Sequence, residues 1–554
     1  MSMILNRKYD TTAMKSLPES FIATSNIPAA GSVNHEEPLS LLFNLCKGGL
    51  QGLSRVFLYG DRAIRVQPHW IRDYMLTLKG FKYTEQDITS FPDLLLEHQT
   101  PKGFFFEILA PVTDMHSGVP RFTNEFGQNV AISPDECHLL EPGMEFGMCR
   151  LELEADIEYL MVEGAYQIWQ ATGDDNWLRL NIPRLEKGIR YMMTDPLRWD
   201  TQYQLVKRPR TLDTWDFLDR ESSSYDRAVR PDDPMGIFHG DNTGLFYAKM
   251  LMAKLYRVLG DESSAARHEE EAAALKERIM KHLWNGRFFR HFLPLTDVDY
   301  GVDETWQMSL SNAYALNRGI LSMDERLSVI AAYRAMRDKY KGEMDDFRNL
   351  EPPYPVFKGM KPGQYVNGAV APFVAGQLAS AAFAVGEETY GVDILKRVGR
   401  KVSRDGKFSF LWNWEGNDIG GGPRCWCAAE IMNAECTGLA GIVDNGKLFE
   451  NVTLSPRFAA AKEKRAYVKL VYPASDACVE YEFNADYDAK RLDFQLVSNH
   501  QTANLRMYVP DGAVPISASV NGQAVDFKDE AVGKSHYAVL NGLPPNAHVT
   551  VIYQ

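Results

Sequence analysis

Residues 152–174 read ELEADIEYLMVEGAYQIWQATGD, and their spacing decides the fold. Ile157, Leu160, Met161, Ile168 and Trp169 fall on one helical face, and Gly173-Asp174 halts the pattern. Glycine accepts the left-handed turn that ends a helix, and an acid just after it suits the positive start of the next. The same grammar recurs at Leu259-Gly260-Asp261, ahead of a Glu- and Ala-rich run through Leu283, and at Val385-Gly386-Glu387, ahead of Tyr390–Val402. Each reads as a helix, a glycine turn and a returning helix. Residues 40–445 hold about six such hairpins at a spacing too irregular for a short-repeat solenoid.

Past residue 445 the hydrophobic period changes to two, in Val479, Tyr481, Phe483 and again in Leu492, Phe494, Leu496. Short strands are expected around Leu505–Val509, Ile516–Val520 and Val549–Tyr553, broken by Pro510-Asp511-Gly512, Asn521-Gly522 and Pro544-Pro545. The predicted organisation is an N-terminal extension (1–39), a helical domain (40–445) and a β-sandwich (446–554). Long loops rich in Gly, Pro and aromatics separate the hairpins at Thr100–Gly147, Lys207–Gly244, Glu343–Gly368 and Ser403–Trp426. Loops of that length in a compact domain usually carry function.

Composition narrows the class. The 554 residues are 45% hydrophobic and 24% charged, which is globular, and 73 acids against 60 bases give a net charge of −13. That field repels phosphate backbones and anionic bilayers, so neither nucleic acid nor membrane is an expected partner. No long apolar stretch follows the basic residues of MSMILNRKYDTTAMKSLPES, and no run of about 18 apolar residues occurs elsewhere. With seven scattered cysteines, a reducing cytoplasm is the expected location. Cys425 and Cys427 flank Trp426 without further ligands, so no metal is expected. No phosphate loop, nucleotide fingerprint or GxSxG elbow is present, so no cofactor is expected either.

The chemistry concentrates in residues 207–220, KRPRTLDTWDFLDR. A carboxyl group pressed against an aromatic ring resists ionisation and can deliver a proton near neutral pH. The plain alternative is a loop whose acids cap helices and pair with Arg210 and Arg220. Elsewhere, HGDNTG (239–244) offers donors and acceptors that suit sugar hydroxyls, or that cap the next helix through Asn242 or Thr243. The loop 408–418, FSFLWNWEGND, and nearby Trp426 supply indoles that serve as sugar platforms or as core.

The run DTWDFLDR (213–220) resembles the SGWDFSSR, SGWDNSPR and SGMDNSPR stretches of six-hairpin glycosidases, the group of trehalases and mannosylglycerate hydrolases, departing at Thr214 and Leu218-Asp219. By that resemblance Asp216 is the general acid, Trp215 shapes the subsite, and Arg220 positions a hydroxyl or the acid. HWIRD (69–73) is similar to the first-hairpin motif of the group, implying substrate contacts from Trp70, Arg72 and Asp73; a helix-end ion pair reads the same residues equally well. YGVDETWQ (300–307) places Glu304 and Trp306 before a helix near Ser309, where the helix dipole also favours acids. QYVNGAVAP (364–372) and GLAGIVD (438–444) resemble the fifth-hairpin entry and the barrel-to-sandwich junction.

The resemblance implies a mainly α fold, an (α/α)6 toroid of six helical hairpins with a C-terminal β-sandwich, and an inverting glycoside hydrolase. Inversion needs a second carboxylate about 6.5–9.5 Å from the acid, with the attacking water between them. Glu415 is the first choice for that base, with Glu304 next; Asp418 or an indirect water relay would serve otherwise. Asp241, Trp412 and Trp414 complete the expected carbohydrate-binding set. Lys207, Arg208 and Arg210 are expected in solvent, or else select an anionic sugar. Two rivals share the toroid: a polysaccharide lyase, and a non-catalytic sugar-binding protein. The oligomeric state is not legible in the sequence.

Overall fold

Twelve helices among the described residues alternate between an outer and an inner ring. The first six are α1 (Leu39–Leu50), α2 (Ile71–Phe81), α3 (Ser90–Glu97), α4 (Ile157–Thr172), α5 (Asp175–Thr194) and α6 (His239–Val258). The rest are α7 (Glu262–Leu283), α8 (Ser311–Ala315), α9 (Met323–Tyr340), α10 (Pro372–Ala384), α11 (Glu388–Asp405) and α12 (Arg424–Asn433). Even-numbered helices pack in cyclic order, α2 to α4 and so on to α12, which returns to α2; α1 covers α12 from outside. The result is an (α/α)6 toroid. The computed structural model describes residues 19–24, 39–50, 55–59, 61–66, 70–113, 121–123, 129–131, 137–139, 146–215, 218, 229–420, 422, 424–497 and 502–554.

The turns behave as their residues dictate. Gly173 ends α4 in the left-handed region at φ 70°, and Asp174 accepts from the backbone N–H of Asn176 (2.9 Å) and Trp177 (2.8 Å) to start α5. Asp261 caps α7 in the same way through Ser264 N–H at 3.0 Å. Glu387 does not cap α11; it pairs with Arg334 and Lys534 instead. Helix α4 starts at Ile157 rather than near Glu152, because the acids before it are drawn into buried ion pairs at the ring's edge.

The C-terminal sandwich has two sheets. One orders Phe21–Thr24, Arg465–Tyr472, Ala477–Asp486, Arg491–Leu496, His548–Tyr553, Pro515–Val520 and Gln523–Val525. The other orders Ile442–Asp444, Asn451–Leu454, Thr502–Tyr508, Ser535–Leu543 and Lys528–Val532. The strand Phe21–Thr24 thus reaches across from the N-terminal segment to pair antiparallel with Arg465–Tyr472. Between Ile108 and Cys149, five short strands form a further sheet. Among the described residues no helix is long and apolar enough to cross a membrane.

Small residues let the inner helices touch. A Cβ on Gly244 would lie 2.3 Å from the Tyr159 ring, and one on Gly376 would lie 2.5 Å from the Glu430 carbonyl carbon. The second obstacle is backbone and cannot rotate away, so Gly376→Ala is expected to destabilise by about 2–3 kcal/mol. Gly48, in α1, has nothing within 4 Å of that position, so Gly48→Ala is expected to stabilise by about 0.5–1 kcal/mol. Urea unfolding of the two variants beside wild type checks both signs.

Candidate active site

All six inner helices begin at one rim, as contacts between their first turns show. Arg72 of α2 donates to Asp156, which precedes α4, through Nε (2.6 Å) and Nη2 (2.8 Å), and also pairs with Glu154. Gly240 of α6 abuts Ser311 of α8. Phe373 of α10 stacks on Trp426 of α12 with ring centroids 4.4 Å apart. Thr77 of α2 lies against Cys425 of α12. Helix N-termini present unpaired N–H groups and a partial positive charge, so acids gather there.

The segment 207–215 crosses this rim. Trp215 is buried, stacked over Trp426 at 6.3 Å and edge-on to Tyr365 at 5.6 Å, with Phe410 beside it at 5.8 Å. Its carbonyl accepts from Arg208 Nη2 at 2.6 Å. Asp216, Asp219 and Arg220 lie outside the described residues. The expectation that Arg208 and Arg210 face solvent is corrected: both are buried. Arg208 faces Asp241, Nη1 to Oδ1 3.5 Å, while the Arg210 guanidinium lies 3.1 Å from the Tyr300 ring centroid and 4.5 Å from that of Tyr354. Apolar surroundings favour guanidinium over ammonium because it stacks and sheds water more readily.

The other expected residues divide by access. Arg72 is a buried ion-pair partner, the alternative reading of that motif, and Trp70 is buried at the start of α2. Asp73 stands half-buried in the first turn of α2, near Cys425. Trp412 is 1% exposed, so its ring is core and not an open platform; the bridges to Val370 and Asp418 hold it inward. Trp306 (54% exposed) and Trp414 (41%) are exposed; Trp414 is anchored by Nε1–H to Gly368 O at 2.7 Å, with the Arg348 guanidinium over its ring at 4.3 Å. Glu415 is exposed in the tight turn closed by Asn413 N–H to Asn417 O at 2.9 Å. Asp418 pairs with Lys407 at 2.7 Å.

Glu304 differs from these acids. It begins the short 3-10 turn Glu304–Trp306, capped by Asp303 through Thr305 N–H at 3.0 Å. The carboxyl is half-buried, and Oε1 accepts no hydrogen bond among the described residues. Burial pushes its pKa above the usual carboxylate range, against the pull of Arg210 and Arg290. Asp241, by contrast, is sealed: burial pushes it up to about 7, opposed by Arg208 and assisted by Asp156 and Asp213. Asn242 does not cap α6. Its amide grips the 205–206 strand by accepting from Val206 N–H (2.8 Å) and donating to Val206 O (2.9 Å).

Asp213 takes the helix-capping role that was the plain alternative for the acids of 207–220, whereas sequence reasoning passed over His291. Asp213 is left-handed at φ 55°, and its carboxylate accepts from Thr214 N–H (2.6 Å), Ser311 N–H (3.1 Å) and the Ser311 hydroxyl. It thereby supplies the cap that α8 lacks. Burial opposes its charge, yet the serine hydrogen bonds hold the pKa below the ordinary value. The Asp213 N–H donates to His291 Nε2 at 2.7 Å. Nothing around His291 in the sequence, RFFRH, marks it as more than a strand residue.

Three solved structures share this fold. An α-L-rhamnosidase from Dictyoglumus thermophilum superposes with TM-score 0.59 at 11% identity, over 96% of this chain and 50% of that one. A GH78 family rhamnosidase from Bacillus sp. GL1 gives 0.57 at 14%, over 89% and 43%. A Streptomyces avermitilis α-L-rhamnosidase in complex with L-rhamnose gives 0.55 at 12%, over 97% and 42%. The fold is that of rhamnosidases. The chain spans about half the length of each rhamnosidase it matches. No family model and no curated protein matches the sequence.

Within this rhamnosidase-like toroid, the Asp241 carboxyl makes stability depend on pH. In the unfolded chain it ionises near about 3.9, while the folded protein keeps the proton up to about 7. Its contribution is therefore complete below about pH 4 and is lost as pH rises towards neutrality, by up to about 4 kcal/mol. Asp241→Asn cannot ionise, so its urea midpoint is expected to fall less than that of wild type between pH 4 and 7. Parallel curves for the two proteins would contradict the assignment.

Proposed function

We propose that the chain is a glycoside hydrolase that cleaves a small oligosaccharide or glycoside with inversion at the anomeric carbon. The observation that carries this reading is Glu304, which combines a half-buried side chain, a raised pKa and a buried oxygen, Oε1, that accepts nothing among the described residues, close to Arg210 and Arg290. A base that works near neutral pH needs those three properties together. Glu415 is exposed and Asp241 is sealed, so Glu304 is the better-supported base of the three.

In this mechanism Asp216, the residue after Trp215, protonates the glycosidic oxygen as the bond to the anomeric carbon breaks. Glu304 takes a proton from water, and the water oxygen bonds to the same carbon from the opposite face through an oxocarbenium-like transition state. Trp306, more exposed than Trp414, offers surface for a further sugar ring or an aglycone. A rhamnoside is the first substrate to test, because the fold is shared with rhamnosidases, followed by an α-glucoside. A cytoplasmic location and a small imported substrate belong to the same proposal.

Aryl α-L-rhamnosides and α-glucosides incubated with wild type, Asp216→Asn, Glu304→Gln and Glu415→Gln test it. Asp216→Asn and Glu304→Gln are expected to lower kcat by about 100-fold or more, Glu415→Gln by only a few-fold, and proton NMR is expected to show the inverted anomer first. The acidic limb of the pH–rate profile is expected above the ordinary glutamate value, about 4.3, as the direction of the Glu304 shift requires. Equal rates in wild type and Asp216→Asn would remove the acid. Ultraviolet-absorbing unsaturated products would instead indicate a lyase, and sugar binding without turnover a binding protein.

A further inference from the structure

The neutral ring of His291 joins two loops that no helix connects. The Asp213 backbone N–H can only donate, so Nε2, 2.7 Å away, carries the lone pair and Nδ1 carries the proton. Nδ1–H then donates to Gln307 Oε1 at 2.6 Å, with the Tyr354 hydroxyl at 3.2 Å. The Gln307 amide is oriented independently, because its Nε2 donates to the Pro352 carbonyl at 2.8 Å. Backbone groups at both ends thus settle the sense of every hydrogen bond in the chain. Burial also holds the imidazole neutral, opposed by the Asp213 carboxylate and reinforced by His239 and Arg210.

The two ends of this chain matter for the site. Asp213 stands two residues before Trp215, in a left-handed conformation that only its own hydrogen bonds make tolerable for a non-glycine residue. Gln307 directly follows the Glu304–Trp306 turn and donates its N–H to Glu304 O at 3.4 Å. Tyr354, the third group at the ring, packs against Arg210, whose charge acts on Glu304.

We propose that His291 is a positioning residue that sets the separation of the Asp213–Trp215 turn from the Glu304–Trp306 turn. The proposal rests on the hydrolase reading above, since that separation is the distance between the proton donor's loop and the base's turn. His291 itself touches no substrate. It acts by being an acceptor on one side and a donor on the other, a polarity that a displaced or protonated ring loses.

Three variants separate these functions. In His291→Gln the side-chain oxygen reaches the place of Nε2 and still accepts from Asp213 N–H. In His291→Asn the amide nitrogen replaces Nδ1 and still donates to Gln307, but the Asp213 anchor is lost. His291→Ala loses both. With an aryl glycoside, His291→Ala is expected to lose about 100-fold in kcat with KM changed only a few-fold; His291→Gln recovers most of the loss and His291→Asn does not. An active wild type in which Gln and Asn fall alike, tracking their melting temperatures, overturns the inference alone. A wild type that turns over no glycoside fails the hydrolase reading, and the kinetic role with it. Nitrogen NMR of the 15N-histidine-labelled protein, with His291→Gln for assignment, reads the ring without turnover. The proton is expected on Nδ1 throughout pH 5–8, and a proton on Nε2, or a titration near the ordinary histidine value, overturns the geometry.

Discussion

Six helices starting at one rim impose the electrostatics of the whole molecule. Each start leaves backbone N–H groups unpaired and a positive pole exposed, and with six together the demand for negative groups is local and strong. The chain meets it with Asp73, Asp156 and, from a loop, Asp213. Carboxylates packed this closely and away from water need partners, since a lone buried charge costs several kcal/mol. Arg72 and Arg150 answer Asp156 and Glu158. The same arrangement that closes the ring therefore stocks one end of it with titratable groups held in unusual states.

Two kinds of buried acid result. Those with hydrogen-bond donors aimed at them, such as Asp213 with Ser311 and Thr214, keep their charge. Those with a cation at the margin of contact and no donor within reach, such as Asp241, hold a proton instead. Glu304 lies between the classes because it is only half enclosed. Burial and donor geometry, rather than residue type, sort the acids into structural and chemically available sets.

Much of the architecture was legible because it is local. Gly173-Asp174 and Gly260-Asp261 announce a helix stop and the next helix's cap within two residues, and both act so in the structure. The alternation in Val479, Tyr481 and Phe483 likewise describes a strand with one buried face. The site was legible only where a motif names it. DTWDFLDR drew attention to the segment that carries Trp215 across the rim, but the burial of Trp412 and the exposure of Glu415 depend on how one loop folds back on Val370, and no pattern in FSFLWNWEGND encodes that. His291 and Gln307 lie far in sequence from Asp213, and hydrogen-bond complementarity over such distances leaves no periodic trace.

The strand Phe21–Thr24 pairs with Arg465–Tyr472, more than 400 residues later. On the ribosome the earlier partner emerges first and must wait, without its neighbouring strand, until the entire toroid has been made. Completion of the sandwich is thus a late event that clasps together segments lying before and after the toroid in the chain. A nascent chain stalled anywhere inside the barrel carries an unpaired β-edge, a natural handle for chaperones and a hazard for strand exchange between neighbouring ribosomes.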